Sequence, residues 1–263
     1  MIEETDGKHG VQSLEIGMNI VRTMVTGQRS MMLKDIALAA DMPASKVHRY
    51  LVSLIRSGVV EQDLQTSRYS LGPFALNMGL VALDRLDRVR LGLAAISELR
   101  DAINETIALA VWSETGPVIV RWERPRRAIT VNVVTGTSLK LLTSAAGRVF
   151  AAWLPKTVMD PLISSELKTK AIPDLKTKAD VEAMLSKVRS DGVAPISSNY
   201  MFSGVEAVSA PVFNFKNEIT MALSVVGVTG MIDINQNSAV ITELKRAAQQ
   251  LSERLGSTRK INA

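Results

Sequence analysis

The stretch Met42–Val60 carries the side chains best suited to chemistry with a polyanion. It contains Lys46, His48, Arg49 and Arg56 and no Asp or Glu. Cations without neighbouring carboxylates attract phosphate, and guanidinium and ammonium groups match the acceptors that guanine shows in the major groove. On a helical wheel of about 100° per residue, Val47, Leu51 and Leu54 fall together, flanked by Tyr50 and Ile55. Ser45, Arg49, Ser53 and Arg56 lie opposite, with Lys46 beside them. Arg49 is central to the polar face and is the first candidate for a base or phosphate contact. Ser45 and Lys46, near the N-terminal end of the helix, should reach a duplex first, and Ser53 and Arg56 should touch its backbone. His48 sits at the edge of the apolar face, where packing suits it as well as backbone contact does. Lys34 in the preceding segment, and Arg68 beyond the helix, complete the DNA-contact candidates. Arg68 would enter the minor groove or pair with a phosphate. Charge alone does not decide the matter, because an ordinary solvated helix face has the same composition.

Other chemistries find few residues to use. The 263-residue chain has no cysteine, which removes disulfides, iron–sulfur clusters and thiolate zinc sites. Its two histidines, His9 and His48, both lie in the N-terminal part. No Gly-rich phosphate loop of the usual spacing occurs. We therefore expect no catalytic residues, no metal and no cofactor, although Asp and Glu are available as acids and bases anywhere. The net charge of +5 and the pI of about 9.5 permit nucleic-acid binding. Residues 1–70 nevertheless balance eight Lys/Arg against eight Asp/Glu, so the local distribution says more than the sum. No apolar run reaches the roughly 18 residues of a bilayer span, and MIEETDGKHG does not resemble a signal peptide. A cytoplasmic location without membrane contact is expected.

The basic helix needs elements that hold it. Residues 1–10 read as a tail. Leu14, Met18, Val21 and Val25 recur at helical spacing from Val11 to about Val25. A short helix over Leu33–Ala40 should turn Ile36, Ala37 and Ala40 inward. Asp41 and Met42 break it, Asp being among the few non-glycine residues that tolerate a left-handed backbone. Pro43 then suits the first turn of a helix that runs to Ser57 and stops at Gly58. Val59–Gln62 and Arg68–Leu71 read as two strands of a hairpin. Helix, short helix, helix and hairpin is the order of a winged helix-turn-helix, here residues 11–72. Pro73 opens an apolar, Met-rich helix to about Arg88, read as a linker and dimer surface (73–88).

A second domain is expected over 89–263. A helix to Ile103 precedes strands at Thr106–Ser113, Val118–Glu123 and Ile129–Val134, with a short strand at Leu139–Leu142. Helices follow from Thr143 or Ser144 to Trp153, from Pro155, and over Lys178–Ser190. Strands return at Val193–Ser198, Glu206–Val212 and Ile219–Val226, before a last helix from about Asn237 to Leu255. This order implies an α+β domain with an antiparallel sheet. Within it, Thr143 or Ser144 would cap a helix whose N–H groups at Ala145, Ala146 and Gly147 point outward. Such a terminus favours a carboxylate, and an ordinary capped helix packed on a sheet is the competing interpretation.

The segments VQSLEIGMNIVRTM and LKDIALAADMPASKVHRYLVSLIRSGVVEQDLQTSRYSLGP closely resemble the DNA-binding domain of IclR-family bacterial regulators. The likeness continues less tightly, for instance at VSAPVFNFKNEITMALSVVG, and covers roughly residues 10 to 256. It implies a homodimer or homotetramer that binds a near-palindromic double-stranded operator, more readily a repressor. It also implies a GAF-like effector-binding domain that senses a small organic acid. By this resemblance the turn at Thr143, Ser144, Ala145, Ala146 and Gly147 lines the effector cup. Ser197 and Ser198 fall where the family often has acidic residues, and Ala207 where many members have cysteine. Ser224 keeps the family's serine, while Val226 replaces a second one. A less polar cup suits an aromatic or longer acid, with Trp112, Trp122, Tyr200, Met201 and Phe202 available as apolar wall. The departures at Ala207 and Val226 leave open a DNA-binding regulator without a small-molecule effector, controlled by oligomerisation or a protein partner.

Overall fold

The computed structural model describes residues 10–84, 87–114, 116–126, 131, 134–169, 174–197 and 204–261. Internal contacts divide the chain into two units, residues 1–86 and 87–263.

The first unit is built from α1 (Gln12–Thr26), α2 (Leu33–Ala39), α3 (Ala44–Arg56), β1 (Val60–Gln62), β2 (Tyr69–Leu71) and α4 (Pro73–Asp84). Its core gathers Ile20, Met24, Ile36, Ala37, Ala40, Val47, Leu51, Val60 and Tyr69. The inward residues expected of α2 are therefore the buried ones. In α1 they are not the stripe that the spacing emphasises. Leu14, Met18 and Val25 are exposed, and the buried face is Gly17, Ile20 and Met24. The helix is apolar on two sides, and periodicity alone cannot tell which side meets the core. Asp41 adopts φ 51°, the left-handed turn its type allows. Pro43 stands one residue before α3, as its extended N-cap with ψ 137°, rather than inside the first turn. The hairpin pairs Val60 with Leu71 and Gln62 with Tyr69. Met31 pairs with Tyr69 from the other side of β2, its N–H and carbonyl exchanging hydrogen bonds of 2.9 and 2.8 Å. The loop before α2 is thus stitched to the wing.

The expected single helix from Pro73 to Arg88 is not observed. The helix is described to Asp84, and Asp87 has ψ 91° and caps a new helix, its carboxylate accepting from Arg90 N at 2.9 Å. This is α5 (Arg88–Ile103), the start of the second unit. Asp is a good cap because its carboxylate satisfies an N–H that the first turn leaves free.

The second unit continues with β3 (Thr106–Ser113), β4 (Gly116–Glu123), α6 (Ala145–Trp153), α7 (Lys156–Lys168), α8 (Lys178–Asp191), β5 (Ala194–Ile196), β6 (Val205–Phe213), β7 (Ile219–Val228) and α9 (Ala239–Arg254). Among the described residues the strands form one antiparallel sheet in the order β4-β3-β7-β6-β5. α5 and α9 pack on one face, and α6 packs on the other with α8 against it. Residue parity follows this division, since strand side chains alternate between faces. Registers align Trp122, Ala108, Ser224, Ser209 and Ala194 in one row across the sheet, on the α6 side. Val226, Ala207 and Ile196 form part of the next row. Small side chains dominate this face and leave space beneath α6.

The short strand expected at Leu139–Leu142 is instead irregular chain. Leu139 N donates to the Pro117 carbonyl of β4 at 2.8 Å, but the next donors are diverted: Leu141 N and Leu142 N donate to the two carboxylate oxygens of Glu166 on α7, at 2.6 and 2.9 Å. Residues 127–130 and 132–133, where most of the strand Ile129–Val134 was expected, lie outside the described residues. Gly147 is where α6 crosses this segment. A Cβ there would run onto the Lys140 carbonyl oxygen and stand 2.5 Å from that of Leu141. Both obstacles are backbone and cannot swing aside. Gly147→Ala should therefore destabilise the protein by about 1–3 kcal/mol, the usual cost of overpacking. Urea denaturation checks this, and an unchanged midpoint would show that the segment yields freely.

Candidate functional site

Two candidate surfaces emerge, one in each unit. On α3 the apolar side is anchored, with Val47 and Leu51 fully buried and Tyr50, Leu54 and Ile55 half-buried. Ser45, Lys46, His48, Arg49, Ser53 and Arg56 are all exposed, and so is Lys34 on α2. His48 thus lies with the polar residues rather than in the packing. No carboxylate occurs on α3. Arg68 is half-buried, and its guanidinium donates to the Ser30 carbonyl at 3.2 Å. It ties the wing to the loop before α2. The wing tip is acidic: Asp63 Oδ1 accepts from Gln65 N at 2.7 Å and Thr66 N at 3.1 Å. Those backbone donors, Thr66 first, hold its carboxyl below the usual range. The wing tip thus carries a carboxylate, whereas α3 carries cations and no carboxylate.

The second surface is a pocket of about 630 Å³, open mouth included, between the sheet and the start of α6. Thr143, Ser144, Ala145 and Ala146 line its α6 side. Ala207, Ser224 and Val226 come from the strands, and Ser197 from the end of β5. Ser198, Tyr200, Met201 and Phe202 lie outside the described residues. Gly147 does not line the pocket, and its N–H is not outward: it donates to Ser144 Oγ at 3.0 Å, because Ser144 is the N-cap. Ser144 Oγ in turn donates to the Lys140 carbonyl at 2.6 Å. Ala145 and Ala146 line the pocket at the first turn of α6, the positive end of the helix dipole, where backbone N–H groups lack intrahelical acceptors. Trp122 lines the pocket too, and its buried indole N–H has no acceptor among the described residues. Trp112 instead packs on Phe150, ring centroids 5.6 Å apart.

Sequence reasoning missed the floor and the frame of this pocket. Ala108, Ala110, Ile119, Leu139 and Ile196 also line it. An alanine in a strand carries no chemical signal, and only the sheet register brings Ala108 beside Ser224. The frame consists of Glu166, which grips Leu141 and Leu142, and Arg148, whose Nε donates to the Leu142 carbonyl at 2.8 Å and Nη1 to that of Pro195 at 3.3 Å. Among the described residues no group of three His, Asp or Glu could hold a metal ion, and no helix is long and apolar enough to cross a membrane.

The two surfaces fall in regions that match two family models. Residues 13–64 match the IclR helix-turn-helix domain, and residues 81–253 match the bacterial transcriptional regulator IclR C-terminal domain. The glycerol operon regulatory protein of Streptomyces griseus is 29% identical over 258 residues, covering 95% of this chain and 98% of its own. The crystal structure of Pseudomonas aeruginosa HmgR is 37% identical, with a TM-score of 0.84, covering 94% of this chain and 99% of that one. An IclR homolog from Microbacterium hydrocarbonoxydans, crystallised with 4-hydroxybenzoate, shares the fold at 17% identity and a TM-score of 0.54, covering 93% of this chain and 99% of that one. Such relatives are named as transcriptional regulators rather than enzymes. With its C-terminal model alone spanning most of the length, the chain belongs to the IclR family and is a DNA-binding transcriptional regulator.

Proposed function

We propose that this regulator is a repressor of a catabolic operon, that it grips a near-palindromic operator as a homodimer or homotetramer, and that a small organic acid, aromatic rather than very short, controls it. The observation that carries the DNA half is the division of α3. Val47 and Leu51 hold it rigidly, and the opposite face offers Arg49, Lys46, Ser45, Ser53, His48 and Arg56 without a competing carboxylate. A groove admits one such helix, and its rigid anchoring spares the entropy of ordering it on binding. Lys34 adds a phosphate contact from α2. Occupancy of an operator that overlaps a promoter blocks transcription without any further contact, which makes repression the simplest use of such a grip.

Apolar surface supports self-association. Leu14 and Val25 on α1, and Val11 that caps it, are each more than 60% exposed; on α4, Phe74, Leu76, Met78, Leu80 and Val81 are at least 45% exposed. Apolar helix faces of this kind in a soluble chain mark surfaces that another molecule covers. Two copies related by a twofold axis read two half-sites, which makes the operator palindromic and spaces its halves by about one helical turn or a multiple.

The pocket supports the acid. Ala145 and Ala146 N–H stand at the positive end of α6, while Val226, Ala207, Ile119 and Leu139 supply apolar wall. An aromatic carboxylate meets both demands, and a protein of the same fold has been crystallised with 4-hydroxybenzoate. The ligand acts only through different affinities for two states of the protein, and a tenfold change in operator affinity requires about 1.4 kcal/mol of coupling.

Footprinting on the gene's own upstream region tests this reading. Protection of two related half-sites, relieved by an aromatic acid, is expected; binding no tighter than to random duplex at moderate salt would refute it. Arg49→Ala should weaken specific binding about fivefold to more than a hundredfold, the roughly 1–3 kcal/mol of one good base contact, as measured by fluorescence anisotropy. In the same assay Lys46→Ala should lower the slope of log K against log salt by about one, and an unchanged slope would remove Lys46 from the phosphate contacts.

A further inference from the structure

Under the pocket, Ser209 Oγ and Ser224 Oγ lie 2.6 Å apart, on paired positions of β6 and β7. Ser209 is wholly buried and Ser224 is 5% exposed, and only Ser224 lines the pocket. Each hydroxyl carries one hydrogen. One of the two hydrogens makes the bond between them, and the other must point elsewhere. The flanking residues of the row, Ala194 beside Ser209 and Ala108 beside Ser224, offer only methyl groups. If Ser224 donated to Ser209, the remaining hydrogen would sit on Ser209, in the interior, with no acceptor. Leaving a buried donor unpaired disfavours that arrangement by about tenfold or more. If Ser209 donates to Ser224, the remaining hydrogen sits on Ser224, beside the pocket, where an incoming atom accepts it.

We infer that Ser209 is a positioning residue that locks Ser224 as a hydrogen-bond donor into the pocket, so that the ligand must carry an oxygen acceptor over Ser224 in addition to its carboxylate. The Ser209 hydrogen also polarises the Ser224 hydroxyl and strengthens its donation, as chained hydrogen bonds do. The same wall carries the hydroxyls of Thr143 and Ser197 and the carboxylate of Glu206, whose Oε1 accepts from Gly230 N at 2.8 Å, together with the Trp122 indole N–H, a donor without an acceptor among the described residues; the ligand's second oxygen is called for by the Ser224 donor. The chemical class is therefore an acid bearing a second oxygen, as hydroxyl, carbonyl or carboxylate, on an apolar body. This inference rests on the pocket being the ligand site, whereas the direction of the serine pair does not.

Neutron diffraction from crystals of the deuterated, ligand-free protein tests the direction by itself. Deuterium on Ser209 pointing at Ser224 Oγ, with the Ser224 deuterium turned to the pocket, is the expected result, and the reverse pair overturns the inference. Calorimetric titration with 4-hydroxybenzoate and the near-isosteric 4-methylbenzoate tests the consequence. The hydroxyl compound should bind about tenfold more tightly to the wild type. That ratio should fall to near one in Ser224→Ala and shrink severalfold in Ser209→Ala, and the double variant should match Ser224→Ala. Equal binding of the two probes to the wild type, or a Ser209→Ala ratio unchanged from wild type, overturns the inference. Binding of neither probe counts against an aromatic acid as the effector, and the neutron map still decides the serine pair.

Discussion

The DNA contacts proposed for this chain depend on which way α3 is turned. Val47 and Leu51 fix that rotation by inserting into the core shared with Ile20, Ile36 and Tyr69. Helix geometry then places Arg49 and Lys46 on the far side, since residues three and four apart share a face and those two steps away do not. The alternative rotation would bury a guanidinium without a partner and expose two branched side chains, a combination no other contact of so small a unit could offset. The cross-link between Met31 and Tyr69, with Arg68 bonded to Ser30, closes the loop before α2 against the wing and keeps the frame around α3 rigid.

The second unit follows a complementary rule, in which small side chains decide where a pocket opens. Ala108, Ala110, Ala207 and Ser224 are too short to fill the layer between sheet and helix, so the space under the start of α6 remains open. Gly147 allows α6 to begin directly on the 140–141 backbone, and Glu166 and Arg148 hold that backbone by its amides and a carbonyl. The start of α6 is thus held by hydrogen bonds to the main chain beside it.

Much of the first unit was legible because it is local. The wheel of α3, the Asp41 turn and the hairpin each depend on residues within a few positions of one another. Legibility failed where a helix has two apolar sides, as in α1, and where a cap interrupts a continuous hydrophobic pattern, as Asp87 does. In the second unit the strands with strong β-branched character were placed within a few residues, while the floor of the pocket was not, because alanines acquire meaning only from the register of β3 against β7. The Glu166 clamp joins residues 24 and 25 positions apart, and no spacing rule connects them. The effector residues named through family resemblance gather in one pocket, except Gly147, whose part is close packing, and Ser198, outside the described residues.

The absence of cysteine makes the orientation of α3 directly measurable. A single Ser53→Cys variant carrying an iron–chelate cleavage reagent places a radical source on the exposed face of the helix, and a Leu38→Cys variant places one on α2. With operator DNA, the reagent at position 53 should cut inside each half-site, at positions related by the operator's twofold axis, and more strongly than the reagent at position 38. Equal or absent cutting from position 53, with operator affinity intact, would mean that another surface faces the duplex.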